Sequence, residues 1–190
     1  VVQEKHAHDY VSYVDKASEK KVVSALRKLL PEAGFIAEEG SAAYSDETYC
    51  WVVDPLDGTT NYIHDNAPYC VSIALRDKQS LLLGVVYEPC RDECFYAWKG
   101  GGAYVNGERL RVSLVSEPKD AFVVTELPYN FEQYARTGEH LIHELYGKVA
   151  GIRMNGSAAL ALCYVAAGRF DAWLEAFIGK WDFSAAALMV

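Results

Sequence analysis

The stretch Trp51-Val-Val-Asp-Pro-Leu-Asp-Gly-Thr-Thr-Asn-Tyr62 decides how the chain is read. The β-branched Val52 and Val53 mark the end of a buried strand, and Asp54 and Asp57 follow on either side of Pro55-Leu56. Proline fixes φ, so both carboxylates are expected on one short, stiff loop. Like charges held this close repel unless a cation lies between them. Gly58 lets the backbone approach a ligand, and Thr59 to Asn61 open a helix whose unpaired N–H groups suit a phosphate. Carboxylates for a hard cation beside N–H groups for an anion describe a metal-assisted phosphate site. The plain alternative is an acidic turn without a ligand.

Bulk properties narrow the function classes. The chain has 190 residues, 51% hydrophobic and 13% aromatic, enough to bury a core in one domain or two small ones. A formal net charge of -8 argues against nucleic acid or an anionic membrane as the main partner. No transmembrane span or signal peptide is read in the sequence. The five cysteines, Cys50, Cys70, Cys90, Cys94 and Cys163, lack framework spacing and read as reduced thiols of a cytoplasmic protein. His6, His8, His140 and His143 have no partner ligands nearby and read as surface residues.

Periodicity outlines an α/β protein. Tyr10 to Val14 alternates as a strand closed by Asp15, and Val22, Val23, Leu26, Leu29 and Leu30 mark a helix from Ala17 to Leu30, stopped by Pro31 and Gly34. Strands are expected at 35–37, 49–53, 70–76, 81–87, 94–98 and 102–105, with Asn106-Gly107 turning into a further strand from Glu108 to Val112. Hairpins this close make the first half a mostly antiparallel sheet. The second half alternates: strand 121–125, helix 131–146, strand 151–154, helix 158–167, strand 172–175 and a helix from Asp182 to Val190. The change near Ser116-Glu-Pro-Lys119 divides the chain into residues 1–117, carrying the acidic motif, and an α/β part, 118–190. Glu38, Asp54, Asp57 and Asp182 each sit where a strand ends or a helix begins, and such ends gather at one rim of a layered α/β fold.

The D-P-x-D-G-T-T-N run resembles the central signature of the inositol monophosphatase family, whose lithium-sensitive relatives act on fructose bisphosphate and phosphoadenosine phosphate. Phe35-Ile-Ala-Glu-Glu-Gly40 resembles its upstream glutamate segment, Gly156-Ser-Ala-Ala159 its G-[ST]-A-A helix start, and Trp181-Asp182 its W-D motif. The similarity runs from about Asp15 to Val190. It implies a layered αβαβα sandwich, with further elements beyond both ends of this chain in other members. It also implies a homodimer, and a small phosphorylated polyol or sugar as substrate.

What the resemblance implies for the site is specific. Glu38, Asp54, Asp57 and the carbonyl of Leu56 would bind one Mg²⁺, and Asp54, Asp57 and Asp182 a second, in a set of two or three ions. The all-oxygen ligand set suits that metal. Glu38, with Thr59 and Asp15, would position and deprotonate the attacking water. Gly58, Thr59 and Thr60 would hold the phosphate, and Ser157, Ala158, Glu175 and Asp182 the rest of the substrate. Gly179 stands where several inositol phosphatases carry a histidine, and Ala186 where a glycine is frequent. Hydrolysis of myo-inositol 1-phosphate is the expected reaction, with inhibition by millimolar lithium. A fructose-1,6-bisphosphatase or 3'(2'),5'-bisphosphate nucleotidase is the alternative of the same chemistry, and an inactive metal- or phosphate-binding regulatory relative the alternative of another class.

Overall fold

The computed structural model describes residues 2–6, 9–127 and 131–190; His8 lies outside them. A short hairpin, β1 (Val2–His6) and β2 (Asp9–Ser12), leads into helix α1 (Tyr13–Leu29). The helix therefore begins four residues before the expected Ala17, and Asp15 lies inside it rather than at a strand end. A capping box is the reason: Ser12 Oγ accepts from Val14 N at 3.0 Å, and Asp15 Oδ2 accepts from Ser12 N at 2.8 Å.

Seven strands then form one sheet in sequence order: β3 (Gly34–Ala37), β4 (Cys50–Asp57), β5 (Cys70–Arg76), β6 (Leu81–Glu88), β7 (Glu93–Trp98), β8 (Gly102–Val105) and β9 (Glu108–Arg109). Only β3–β4 is parallel; the other neighbours are antiparallel. β9 stops at Arg109, short of the expected Val112, because beyond Leu110 the chain runs against the Gly168 turn. Its last bond is Leu110 N to Ala103 O at 2.8 Å. A second, parallel sheet has the order β11 (Gly151–Arg153), β10 (Phe122–Glu126), β12 (Ala172–Glu175). Helices α2 (Thr59–Ile63), α3 (Phe131–Leu145), α4 (Ala158–Ala166) and α5 (Lys180–Phe183) complete the layered α/β architecture. The expected helix 182–190 is instead the single turn of α5 followed by a 3₁₀ turn, Ala186–Leu188.

Two apolar clusters hold the layers. Val23 and Leu26 of α1 pack on Phe35, Trp51 and Val53 on one face of the large sheet. On the other face α4, Ala185, Ala186 and Met189 cover Val52, Cys70, Ala74, Val86, Phe95 and Ala97. Because α4 is enclosed between sheets, residues Ala158 to Tyr164 are all buried, and a helix apolar on every side is what that position requires. β4 is covered on both faces and is buried along nearly its whole length. Gly84 of β6 meets the Ala185 carbonyl where any Cβ would have to lie, which lets the segment after α5 settle onto the sheet. No described helix is long and apolar enough to cross a membrane.

Candidate active site

The two aspartates of the central motif lie in a strand rather than on a loop beyond Val53. β4 continues to Asp57, and its pairing with β5 slips between Asp54↔Ser72 and Asp57↔Cys70. Three steps on β4 therefore face two on β5, a one-residue bulge containing Pro55, whose missing N–H a regular ladder would not tolerate. The bulge has a direct chemical result. In an unbroken strand, residues three apart point to opposite faces; the extra residue restores parity and sets both carboxylates over Ser72 and Cys70. That face meets α4 and α5: Ser72 Oγ donates to Trp181 O at 3.2 Å, and Ser157 Oγ donates to Asp57 Oδ2 at 2.6 Å.

Glu38 and Asp182 reach the same rim. Glu38 follows β3, and its N–H donates to Val53 O at 3.1 Å. Asp182 lies in the first turn of α5, which begins two residues before it, with Oδ2 accepting from Gly179 N at 2.6 Å. A Cβ at 179 would come within 2.6 Å of the Trp181 indole, so a side chain there requires the indole to move. Asp54 is 2% exposed, and its Oδ1 accepts from Leu56 N at 2.9 Å. Burial, then repulsion from Glu38, Asp57 and Asp182, pushes its carboxyl well above the usual range. Asp57 is also raised by burial, against the pull of its donors Ser157 and Ala159 N, the latter at 2.8 Å. Among the described residues no three acidic, histidine or cysteine side chains close around one point. The carboxylates line a rim within electrostatic reach of Asp54. Mutually repelling and all-oxygen, with Asp54 buried and the others half-buried, this donor set fits a hard divalent cation.

Beside the rim, Thr59 Oγ1 lies 2.7 Å from Asp15 Oδ1 and 2.9 Å from Leu56 O. Asp15 is 1% exposed and also accepts from Ser12 Oγ at 2.6 Å. Gly58 caps α2 at φ +93°, with Gly156 O and Pro68 O each 3.1 Å from where a Cβ would stand, so both conformation and space require glycine. α2 has only five residues, so it offers Thr59 and Thr60 a few N–H groups rather than a strong helix field. Ser157 is the N-cap of α4, its Oγ 3.4 Å from Leu160 N, and Ala158 follows as the first residue of the helix.

At the carboxyl end of β12, Glu175 stands next to Glu126 of β10. Burial, then Glu126, Asp182 and Asp57, raise the Glu175 carboxyl to about 8. Because the native state holds this proton more tightly than the unfolded chain, stability falls as pH rises from about 4.5 to about 8. Glu175→Gln removes that loss. In metal-free buffer the variant should melt higher than the wild type at pH 9, by roughly 5 °C, with the gap closing near pH 5. Parallel melting curves across that range would contradict the assignment.

Three polar side chains of this region carry no sequence motif. Glu19 is fully buried and accepts from Glu39 N at 2.7 Å and Ser41 N at 2.8 Å, holding the loop that carries Glu38. Its signal was present: Asp15, Glu19, Val23 and Leu26 share one helical face, two acids in an apolar stripe. Cys70, opposite Asp57, is a buried thiol pushed well up by burial, with Sγ 3.7 Å from Asp57 Oδ2. Glu126 had no signal, because only the pairing of β10 with β12 brings it to the site.

The sequence matches the inositol monophosphatase family across residues 1–190. It is 46% identical over 198 residues to the Nus factor SuhB of Pseudomonas aeruginosa, covering 100% of this chain and 72% of the relative. It is 40% identical over 187 residues to the inositol-1-monophosphatase of Rhizobium meliloti, covering 96% of this chain and 69% of the relative. The crystal structure of the extragenic suppressor protein suhB from Bartonella henselae superposes with a TM-score of 0.95 at 39% identity, over 100% of this chain and 73% of that one. With the motifs in order, the layered fold reproduced and the match unbroken from end to end, the chain belongs to the inositol monophosphatase family.

Proposed function

We propose that the protein is a magnesium-dependent phosphomonoesterase that hydrolyses a monophosphorylated polyol, of the myo-inositol 1-phosphate type, to the free polyol and phosphate. The observation that carries this reading is the bulge that turns Asp54 and Asp57 to one face, beside Glu38, Asp182 and the Thr59–Asp15 hydrogen bond. Asp54, Asp57, Glu38, Asp182 and the Leu56 carbonyl would hold magnesium, two or more ions, which when bound supplies positive charge for the phosphate and for an activated water.

The remaining steps belong to the chain itself. Asp15 takes the Thr59 hydroxyl proton into a 2.7 Å hydrogen bond, which leaves an oxygen lone pair to accept from the attacking water. Glu38 is the base that completes the deprotonation. The N–H groups of Gly58, Thr59 and Thr60 hold the phosphate, and Ser157 and Ala158 line the polyol side. Glu175 meets the hydroxyls: its carboxyl, raised to about 8 by burial and so protonated at neutral pH, can both donate and accept, and its Oε2 makes no close hydrogen bond among the described residues.

Of the cations near the site motifs in sequence, Arg153, Arg169 and Lys180, the two arginines are already engaged. Arg169 forms a bidentate pair with Glu93, with Nη1 2.7 Å from Oε2, and stacks on Tyr164 at 4.9 Å. Arg153 lies over Phe122 at 4.8 Å and donates to its neighbour's carbonyl, Ile152 O, at 2.8 Å. This favours a monophosphate over fructose 1,6-bisphosphate or a nucleoside bisphosphate. A second reading comes from the relatives that bear the name Nus factor SuhB: a binding role of the kind that name denotes, beside hydrolysis or in place of it. Phosphate release from inositol 1-phosphate, glycerol phosphate, fructose 1,6-bisphosphate and phosphoadenosine phosphate, with Mg²⁺ and with chelator, separates the readings. Inositol 1-phosphate should be turned over fastest, only with Mg²⁺, and with inhibition by millimolar Li⁺ that deepens as substrate rises. No release from any of the four would leave the binding role alone.

A further inference from the structure

Glu126 and Glu175 are register partners at the carboxyl ends of two parallel strands. The Glu126 side chain is committed to one task. Its Oε1 accepts from both Asn155 N, at 2.5 Å, and Gly156 N, at 2.8 Å. From the other side, Asn61 Nδ2 donates to Asn155 O at 2.9 Å and to Pro68 O at 2.8 Å. Gly156 sits at φ +73°, and a Cβ there would come within 2.6 Å of the Asn61 amide. The dipeptide ahead of α4 is thus clamped between a carboxylate from β10 and an amide from α2. The next residue is Ser157, which holds Asp57 at 2.6 Å, so the setting of this turn is passed to the acidic rim.

Asn155 in this turn and the end of β12 beside Glu126 carry buried polar atoms. Asn155 Nδ2, Trp173 Nε1 and Glu175 Oε2 make no close hydrogen bond among the described residues, although the Trp173 N–H lies near enough to pull the Glu175 carboxyl down. A hydroxyl both donates and accepts, and suits such a set. A phosphate cannot donate when fully ionised, and of the carboxylates that act on Glu175, namely Glu126 from β10, Asp182 from α5 and Asp57 from β4, Glu126 is the one not assigned to magnesium, so its charge is left to repel the phosphate.

We propose that Glu126 is a positioning and specificity-determining residue: its carboxylate sets the Asn155–Gly156 turn, and its charge beside Glu175 reserves this part of the pocket for an uncharged, hydroxyl-bearing group while repelling a second phosphate. The inference rests on the monophosphatase reading.

Two substitutions separate the two roles. Glu126→Gln keeps an oxygen to accept from both amides and removes the charge; Glu126→Ala removes both. Steady-state kcat and KM would be measured with Mg²⁺ on inositol 1-phosphate and on fructose 1,6-bisphosphate. For Glu126→Gln, the ratio of kcat/KM for the bisphosphate to that for the monophosphate should rise about tenfold, as expected for removing one charge at short range from the added phosphate. For Glu126→Ala, kcat on inositol 1-phosphate should fall about tenfold below that of Glu126→Gln, because Ser157 and Asp57 lose their setting. Should Glu126→Ala fail to fold, Asn61→Ala releases the same turn from its other side and is read in the same way. A ratio within twofold of wild type in Glu126→Gln overturns the specificity role, and equal kcat in the Gln and Ala variants overturns the positioning role. A wild-type protein inactive on both substrates overturns the phosphatase reading itself, and this inference with it.

Discussion

Asp57→Asn should lower kcat about a thousandfold or more, a loss of ~4 kcal/mol of transition-state stabilisation, in a protein that still folds. The size of the effect follows from the number of tasks on one carboxylate. Asp57 belongs to both proposed magnesium sets. It also ties the rim to α4 through Ser157 Oγ at 2.6 Å and Ala159 N at 2.8 Å. Asparagine keeps one oxygen for the α4 donors but presents a neutral amide in place of the anion. The fold should tolerate this, because the change also removes one of the charges that push the Asp54 carboxyl up. In metal-free buffer the variant should melt no more than a few degrees below the wild type. Retention of more than about a tenth of wild-type kcat, at saturating Mg²⁺, would remove Asp57 from the shared site.

Asp15→Asn should lower kcat about a hundredfold to a thousandfold with little change in KM, the range expected for losing general-base assistance. Asp15 does not reach the substrate in this reading. It acts through Thr59, whose hydroxyl it holds at 2.7 Å, and without the anion that hydroxyl has less reason to turn its lone pair to water. Helix α1 should survive, because asparagine can still accept from Ser12 N in place of Oδ2. Thr59→Ala should cost about as much, and the double variant little more than either single one, since the two residues act as a unit. Additive losses would mean that Asp15 and Thr59 serve separate steps. A single-variant rate within threefold of wild type would take the pair out of the reaction.

Much of the fold is written in local pattern. The Asn106-Gly107 turn, with φ of 47° and 89°, closes its hairpin where the dipeptide predicted it. The strands of the large sheet fall close to their apolar runs, and α4 and β12 begin at the expected residues. The misreadings share a cause. Asp15 reads as a strand end because Tyr10 to Val14 alternates, yet a capping box settled by three hydrogen bonds starts the helix at Tyr13. Asp182 reads as the start of a helix running to Val190, yet the helix starts at Lys180, with Gly179 at the cap and Asp182 reaching back to it. In both cases a short polar side chain has several backbone partners within reach, and residue type alone does not rank them.

By itself the sequence determined the family, the acidic rim and the order of its motifs, because these depend on residue type and short spacing. Tertiary structure alone decided three things. Asp54 and Asp57 face the same way because β4 slips by one residue against β5, a property of pairing between strands. Thr59 meets Asp15 across 44 residues of chain. Glu126, unremarkable in sequence, stands beside Glu175 because β10 lies between β11 and β12. Each is a long-range contact, set when buried layers close on one another, and no local preference of the chain encodes it.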